Sequence, residues 1–526
     1  MKHTLSFALA ISLLAPACRD SDDRYGLALT TLPPVAAAGA VVFVETASAR
    51  AVAVNVSGDE PSVRVVNVGA EPTAVVARNA APEALVLSRG RRGARGVAPE
   101  PGSLTALPLT GSERARTYPV GSPFNAVAQT PDGRFAITYF RPMSDAGRLL
   151  FNPNEVALVD LTQPPSGTNP TQRTVRSFGG VPNDVVFSPP MEVNGEARTL
   201  AVVLSDAYLT LMDLGHPERV EITVRLTLPE DPRAIRPTQV LFDTEGATLY
   251  VRAAASDDVY VLRLEATTPS GADGNDFRPA INQLAAGRRP ADMALVGDVT
   301  NRRLLVVSPG SSDARLIDAR ANTVIPIPLD APATNILLYE RGGPGGPREA
   351  LLYSTSGATT AVSFMALEGI ETRRGQNVET VQLQRQVTAA LPLADRGVVV
   401  LGHPSSSQGR LSLLDLERRT AAPILSEVAL EGARFDDDRE ALWVAPRSSD
   451  RVGYIDLRSF RPGELLLDGP VTDVLPVTDA TGRRRVVAIH PADGGWLTVL
   501  DGAAPSREGA RSIEGFLLTD VLGTVE

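Results

Sequence analysis

A set of polar residues recurs at one position of a repeated sequence pattern, and its chemistry is that of ligand binding. The members stand just before the apolar residue that opens a predicted strand, with a shift of one residue at Thr334. The set comprises Asn125, Asp184, Gln239, Asp292, Thr334, Asp473 and Asp520. Their side chains offer the oxygen and nitrogen atoms that hold a divalent cation or a polar molecule. The same atoms could instead satisfy backbone N–H groups of the adjacent turn. The sequence leaves both interpretations open, and it shows no other cofactor.

Residues that commonly perform catalysis are scarce in this chain. Beyond His3, the only histidines are His216, His403 and His490, and each is followed by a proline, which is typical of a turn. No Gly-x-Ser-x-Gly nucleophile turn and no phosphate-binding glycine loop is present. The sequence therefore favours binding over catalysis, without settling whether the protein is an enzyme.

The polar set belongs to a repeat of about fifty residues. Alternating apolar residues, often ending in Asp-Leu, recur along the chain, as in Val156–Leu161 and Leu209–Leu214. A period of two over five or six residues predicts a β-strand. The last residues of these predicted strands lie at positions 55, 108, 160, 213, 263, 318, 366, 415, 456 and 501.

Each repeat contains four short candidate strands, which predicts an all-β fold, a β-propeller of four-stranded blades over residues 37–526. About ten repeats can be counted, so we favour one large ring of eight to ten blades, with two smaller rings as the alternative. The first repeat lacks a proline-led first strand, whereas Thr519-Asp520-Val521 repeats the Thr472-Asp473-Val474 motif. We therefore expect residues 515–526 to close the ring by completing the first blade.

Three motifs resemble a known family of repeats. The Pro182-Asn-Asp-Val185 strand start, the Pro131-Asp-Gly133 hairpin and the Val159-Asp-Leu161 strand end are similar to YVTN and lactonase-like propeller repeats of bacterial surface proteins. The Tyr-Val-Thr-Asn tetrad itself is absent. The resemblance implies two functions: a ligand- or protein-binding scaffold module, or a hydrolase whose acidic, His and Arg residues meet in the central channel.

The amino terminus predicts export and lipid anchoring. A basic start, the apolar run Leu5–Leu14 and small residues lead into Cys18, the single cysteine of the chain. This layout resembles a bacterial lipobox, so residues 1–17 are a predicted signal peptide and 18–36 a predicted lipidated tether. An ordinary signal peptide cleaved after Ala17 is the alternative. We expect the bacterial cell envelope as the location, with Arg19 favouring the outer membrane.

The charge balance limits the classes of partner that the protein can bind. The formal net charge is −10, and the sequence contains no concentrated stretch of basic residues. Nucleic acid is therefore excluded as a partner. The partners that we expect are the membrane, through the lipid anchor, and a protein or a small polar ligand.

The lipid anchor predicts a labelling result. In a bacterium grown with radiolabelled palmitate, the wild-type protein should become labelled, and Cys18→Ser should lose the label because the thiol is the acylation site. Equal labelling of both proteins would contradict lipidation at Cys18.

Overall fold

The computed structural model describes residues 30–58, 60–93, 98–141, 152–175, 181–227, 235–268, 274–298, 300–357, 359–373, 376–404, 411–424, 433–436, 440–446 and 449–521. The predicted signal peptide and Cys18 lie outside the described residues. Among the described residues, no helix has the length and apolar character needed to cross a membrane.

Within the described ranges the chain forms ten four-stranded antiparallel sheets, the blades, whose strands follow one another in sequence. Blade 1 contains β1 (Val35–Ala37), β2 (Ala40–Glu45), β3 (Arg50–Asn55) and β4 (Ser62–Asn67), and blade 2 contains β5 (Pro72–Ala77), β6 (Glu83–Ser88), β7 (Gly102–Pro108) and β8 (Arg116–Gly121). Blade 3 contains β9 (Ala126–Gln129), β10 (Phe135–Tyr139), β11 (Glu155–Asp160) and β12 (Thr171–Thr174), and blade 4 contains β13 (Pro182–Phe187), β16 (Leu200–Ser205), β17 (Tyr208–Asp213) and β18 (Ile222–Arg225), with the inserted hairpin β14 (Met191–Val193) and β15 (Glu196–Arg198). Blade 5 contains β19 (Arg236–Asp243), β20 (Thr248–Ala254), β21 (Asp258–Ala266) and β22 (Phe277–Ala285).

Blade 6 contains β23 (Asp292–Val296), β24 (Arg303–Ser308), β25 (Asp313–Asp318) and β26 (Thr323–Pro328), and blade 7 contains β27 (Asn335–Glu340), β28 (Arg348–Tyr353), β29 (Ala361–Ala366) and β30 (Val378–Gln382). Blade 8 contains β31 (Ala389–Leu393), β32 (Val398–Gly402), β33 (Leu411–Asp415) and β34 (Thr420–Ile424), and blade 9 contains β35 (Arg434–Phe435), β36 (Ala441–Val444), β37 (Ser449–Asp456) and β38 (Arg461–Val471). Blade 10 contains β39 (Asp473–Thr478), β40 (Arg484–His490), β41 (Trp496–Asp501) and β42 (Arg511–Glu514). Two short 3-10 helices, η1 (Ala394–Arg396) and η2 (Phe516–Val521), complete the described elements.

The third strand of each blade confirms the predicted repeat, because these strands end at or just beyond the predicted positions. Where the strand ends in aspartate, the carboxylate starts a turn. Its Oδ1 accepts the backbone N–H two residues further on at 2.7–2.9 Å, which satisfies a donor that leaves the sheet. This arrangement recurs at Asp160, Asp213, Asp318, Asp415, Asp456 and Asp501.

The blades close into one ring. In the described residues each apolar cluster combines side chains from two consecutive blades, from blades 1 and 2 onward to blades 9 and 10. A further cluster joins blade 10 to blade 1, with Leu475 and Val487 packed in the same core as Val41 and Val52. This circular series confirms the β-propeller and a single ring of ten blades, and it excludes two smaller rings.

One face of the ring carries the connections between blades and the loops between second and third strands, and we call it the upper face. The chain joins the ring at this face, where Thr31 pairs with Glu45 at the end of β2. The last described residues lie at the same face, because the Gly515 and Leu517 amides donate to the carbonyls of Gly495 and Gly494, between β40 and β41. Both ends of the described chain therefore meet between blades 10 and 1.

The closing segment differs from the prediction for residues 515–526. Blade 1 has its own first strand, β1, which begins at Val35 within the predicted tether, so no strand is missing there. Residues Phe516–Val521 form η2 instead of a strand. The Phe516 ring packs 4.8 Å from that of Phe43 in blade 1, and the Arg50 guanidinium donates to the Leu517 carbonyl at 3.1 Å. The segment thus seals the junction with side chains, because β1 already occupies the inner edge.

This junction yields a stability prediction with a matched control. Phe516 is 3% exposed and Leu518 is 48% exposed on the same short helix. Phe516→Ala should lower the free energy of unfolding by about 3–5 kcal/mol, because it opens a cavity where the ring closes. Leu518→Ala should leave it nearly unchanged. Equal denaturant midpoints for the two variants would show that η2 does not contribute to closure.

Candidate functional site

The first strands of neighbouring blades are joined by side chains of the predicted polar set. Gln239 in β19 donates to Asp292 Oδ1 in β23 at 2.7 Å, and Asp292 Oδ2 accepts the Ile336 amide of β27 at 2.8 Å. Three consecutive blades are thereby connected at their inner strands. Gln129 connects blade 3 to the Ala77 carbonyl of blade 2 in the same way, at 2.6 Å. These contacts satisfy backbone groups on strand edges that no further strand covers.

Two other members of the set meet around Arg141, which follows β10. The Arg141 backbone exchanges two hydrogen bonds with the Asn125 amide, at 2.7 and 2.8 Å, while its guanidinium donates to Asp184 at 3.1 Å. Tyr139 also donates to Asp184, at 3.2 Å. Burial, together with this carboxylate, raises the pKa of Tyr139 to about 12, so the phenol remains a donor.

The remaining members lie apart from these groups. Asp473 in blade 10 accepts two hydrogen bonds from Arg434 of blade 9, the shorter at 2.8 Å. Asp184, Asp292 and Asp473 each also accept the N–H of the next residue, at 2.8–3.0 Å. The side chain of Asp520 lies outside the described residues. The set therefore divides among blade junctions, and its predicted ligand-binding role stays a prediction.

A cavity of about 870 Å³ opens at the upper face where blades 5, 6 and 7 meet. Its wall contains hydroxyl, amide and guanidinium groups together with prolines that cap the loops between blades. The lining residues that carry polar side chains are Arg252, Ser256, Asp257, Arg289, Thr334, Asn335, Ser354, Thr355 and Ser356. Thr334 is the member of the predicted polar set in this wall, and Gln239 and Asp292 lie directly behind Arg252.

Arg252 is held in this wall by neutral partners. Its Nε donates to Gln239 Oε1 at 3.0 Å and its Nη1 donates to the Pro290 carbonyl at 3.2 Å. Burial lowers the pKa of this half-buried guanidinium, and the nearby Asp292 carboxylate raises it in part. A buried cation without a bonded anion costs stability, so this placement needs an explanation other than packing.

Blade 7 contributes a second fixed donor to the wall of the cavity. Thr334 and Thr355 both donate their hydroxyl hydrogens to Asn335 Oδ1, at 2.7 and 3.2 Å. The amide is thereby oriented, and its NH₂ group has no hydrogen-bond partner among the residues that the structure describes. Arg252 and Asn335 are thus aimed by neighbouring side chains, as a preorganised binding site requires.

The buried histidines do not line this cavity, and each of them links neighbouring strands and loops by hydrogen bonds. His490 at the end of β40 bonds the Pro470 carbonyl and Thr498 Oγ1, both at 2.8 Å, and stacks on Trp496. His403 contacts the Gln386 carbonyl and Ser412 in the same way in blade 8. Burial lowers the pKa of His490, which keeps the ring neutral. Because the arrangement recurs in two blades, it indicates a blade-stabilising role.

The face opposite the upper face holds a cluster of paired charges. Arg198 is buried and contacts both Asp213 and Asp276, while Arg219 lies 3.1 Å from Asp276. Burial opposes ionisation of Asp276, but the Arg198 hydrogen bond and the charges of Arg198 and Arg219 together outweigh it and lower the pKa of that carboxyl. Within the described ranges, no group of three or more His, Cys, Asp or Glu side chains could hold a metal ion. The divalent cation remains a prediction without a described cluster.

Fold and cavity together define the class: a ten-bladed β-propeller with a polar cavity on one face. No protein-family model and no curated protein matches the chain in sequence.

Solved structures show remote likeness. Dihydro-heme d1 dehydrogenase NirN is 14% identical, with a TM-score of 0.39 over 84% of this chain and 73% of that one. AztD from Citrobacter koseri is 11% identical, with a TM-score of 0.32 over 67% of this chain and 87% of that one. Virginiamycin B lyase from Staphylococcus aureus is 11% identical, with a TM-score of 0.29 over 53% and 84%. At these scores none of them bears on function.

The sequence does contain a signal for Arg252, although the repeat analysis missed it. Arg252 pairs with Gln239 across the two strands. At the same register position, Leu204, Val307 and Ile489 pair with Asp184, Asp292 and Asp473. Blade 5 thus has a cation where three other blades have a buried aliphatic side chain, and this departure becomes visible only once second strands are aligned with first strands.

The junction at Asp292 predicts a loss of stability. Asp292→Ala should lower the free energy of unfolding by about 3 kcal/mol, because the Ile336 amide and the Gln239 side chain lose their acceptor. Asp330→Ala, in the exposed loop before blade 7, is the control and should change little. Thermal unfolding of the two variants tests the prediction, and a similar small change in both would contradict a bridging role for Asp292.

Proposed function

We propose that the protein is a lipid-anchored propeller of the bacterial envelope that binds a small polar ligand in the cavity of blades 5–7. The observation that carries the proposal is the cavity itself, about 870 Å³, with oriented donors from blades 5 and 7 in its wall. Ligand sites are concave, within this range of volume, and contain a few placed polar groups. Loops on a rigid scaffold are the usual position for such groups.

The predicted anchor is compatible with this face. Eleven residues lie between Cys18 and Thr30, and the described chain joins the ring at the upper face. A chain of that length spans at most about 40 Å when extended. A lipid on Cys18 would therefore hold the upper face within that distance of the membrane at the junction of blades 10 and 1, while the cavity lies on the other side of the ring.

The hydrolase alternative has no specific observation in its favour. A hydrolase needs a general base within reach of a nucleophile or a bound water. No histidine lines the described wall of the cavity, and its one carboxylate, Asp257, accepts the Arg289 amide at 2.9 Å. The groups present can hold and orient a molecule, which is the chemistry of a binding protein.

Filling the cavity tests the proposed function. Ala291 lies in the cavity wall, whereas Ala504 is exposed in the turn after β41, at the opposite face. The detergent-solubilised full-length protein should melt at a higher temperature with at least one member of a panel of sugars, sugar acids and amino acids, because a ligand of the native state stabilises it. Ala291→Trp should abolish this shift, and Ala504→Trp should retain it.

Two results would overturn the proposal. The first is that no compound of the panel raises the melting temperature of the wild type. The second is that Ala291→Trp retains the full shift, which would place the ligand elsewhere on the protein.

A further inference from the structure

The cavity of blades 5–7 has an excess of cationic and donor groups on an otherwise acidic protein. Its wall contains two arginines, Arg252 and Arg289, against one carboxylate, Asp257, whereas the whole chain carries a net charge of −10. The Asp257 carboxylate is exposed at the rim, and its Oδ1 is already occupied by the Arg289 amide. The interior of the cavity therefore faces a ligand with positive charge.

Arg252 has the geometry for a carboxylate. A guanidinium carries five N–H donors. Gln239 and Pro290 occupy one on Nε and one on Nη1, so the three others have no partner among the described residues. Nη1 retains one hydrogen and Nη2 retains two, so both terminal nitrogens can still donate. Two such donors suit the two oxygens of a carboxylate, which arginine binds through two parallel hydrogen bonds.

The repeat shows that this cation is not needed for the fold. Leu204, Val307 and Ile489 fill the equivalent register position in blades 4, 6 and 10 and are buried. The residue opposite is Gln239 in blade 5, where those blades have aspartate. Had it been aspartate as well, it would pair with Arg252 and neutralise it. The exchange of aspartate for glutamine leaves the guanidinium without a directly bonded anion.

The remaining wall indicates the body of the ligand. Five hydroxyl-bearing residues line the cavity, and they are Ser256, Thr334, Ser354, Thr355 and Ser356. Hydroxyls both donate and accept, which matches a molecule that is itself rich in hydroxyl groups. The volume of about 870 Å³ exceeds what a single inorganic anion would fill.

We propose that Arg252 and Asn335 bind the carboxylate of a hydroxylated organic acid, of the size and chemistry of a uronic acid, and that the serines and threonines of the wall bind its hydroxyl groups. This inference rests on the proposed binding function and specifies its ligand class. Arg252 and Asn335 are the specificity-determining residues of the site. The Gln239 side chain and the Pro290 carbonyl hold Arg252, and the Thr334 and Thr355 hydroxyls hold Asn335.

The test compares three probes by calorimetry on the full-length protein in detergent: D-glucuronate, neutral D-glucose and succinate, which has carboxylates but no hydroxyl groups. D-glucuronate should bind most tightly. Arg252→Met should weaken its binding about tenfold or more, because a charge-assisted bidentate contact is lost. Asn335→Ala should weaken it to a smaller extent. Arg278→Met, at an exposed arginine paired with Glu265 in blade 5, is the control and should bind as the wild type does.

Stability provides an independent readout. Methionine restores the apolar character that other blades have at this register position, so Arg252→Met should fold and melt no lower than the wild type. A large fall in its melting temperature would show that Arg252 is a structural residue and would overturn the assignment.

The outcomes separate this inference from the proposed function. Equal affinity for D-glucose and D-glucuronate, with binding lost in Ala291→Trp, would overturn the carboxylate while the cavity remains a binding site. Succinate binding as tightly as D-glucuronate would overturn the hydroxylated body. Binding of D-glucuronate that persists in Arg252→Met would overturn the role of Arg252. Failure of all three probes would overturn this ligand class, whereas the wider panel decides the proposed function.

Discussion

Face-to-face packing between neighbouring blades is the interaction on which this molecule depends. The four main strands of each blade pair only with one another, so among the described strands none passes from one blade to the next. The ring is therefore held by aliphatic side chains between sheets, and chiefly by valine, leucine and alanine. Because the burial of apolar surface has no direction, this packing tolerates degenerate repeats. It also demands that the tenth interface be as apolar as the other nine, which η2 helps to achieve.

The inner strands experience the opposite constraint. Their outer neighbours cover one edge, while the other edge faces the channel with unpaired backbone groups. Polar side chains at one repeat position meet this need by bonding to the adjacent blade, as Gln239 and Asp292 do. At such a position one polar side chain can replace another without loss of the fold. Gln239, which bonds to Arg252, is such a replacement.

Much of the fold was predictable because it depends on local and repeated signals. Alternating apolar residues mark the third strand of each blade, and in six blades a strand-ending aspartate such as Asp415 marks it as well. These marks located the blades. The closing segment was not predictable in the same way. Thr519-Asp520-Val521 matches a first-strand motif, but whether such a motif forms a strand depends on a free sheet edge, and β1 had already taken it.

The site was less predictable than the fold, for a related physical reason. Side chains at equal repeat phase lie in equivalent places around a wide ring. Members of neighbouring blades can meet, as Gln239 and Asp292 do, but members several blades apart bond to different partners. Asp184 and Asp473 consequently bond to different arginines. Arg252, Thr334 and Asn335 come together because a second strand, a loop and a first strand from different blades converge at the upper face. That convergence is a property of the assembled ring.

Because each blade is continuous in sequence, the blade is also the unit by which the gene can be duplicated or rearranged. In a propeller where one blade combines strands from both ends of the chain, cutting or rejoining the chain at a repeat boundary would divide a sheet. Here both ends of the described chain meet between blades 10 and 1, and every other junction is an equivalent loop on the upper face. The gene for such a ring can be rearranged by duplication or circular shift in steps of one repeat. Individual copies can then diverge, as blade 5 has done, while the other nine maintain the ring.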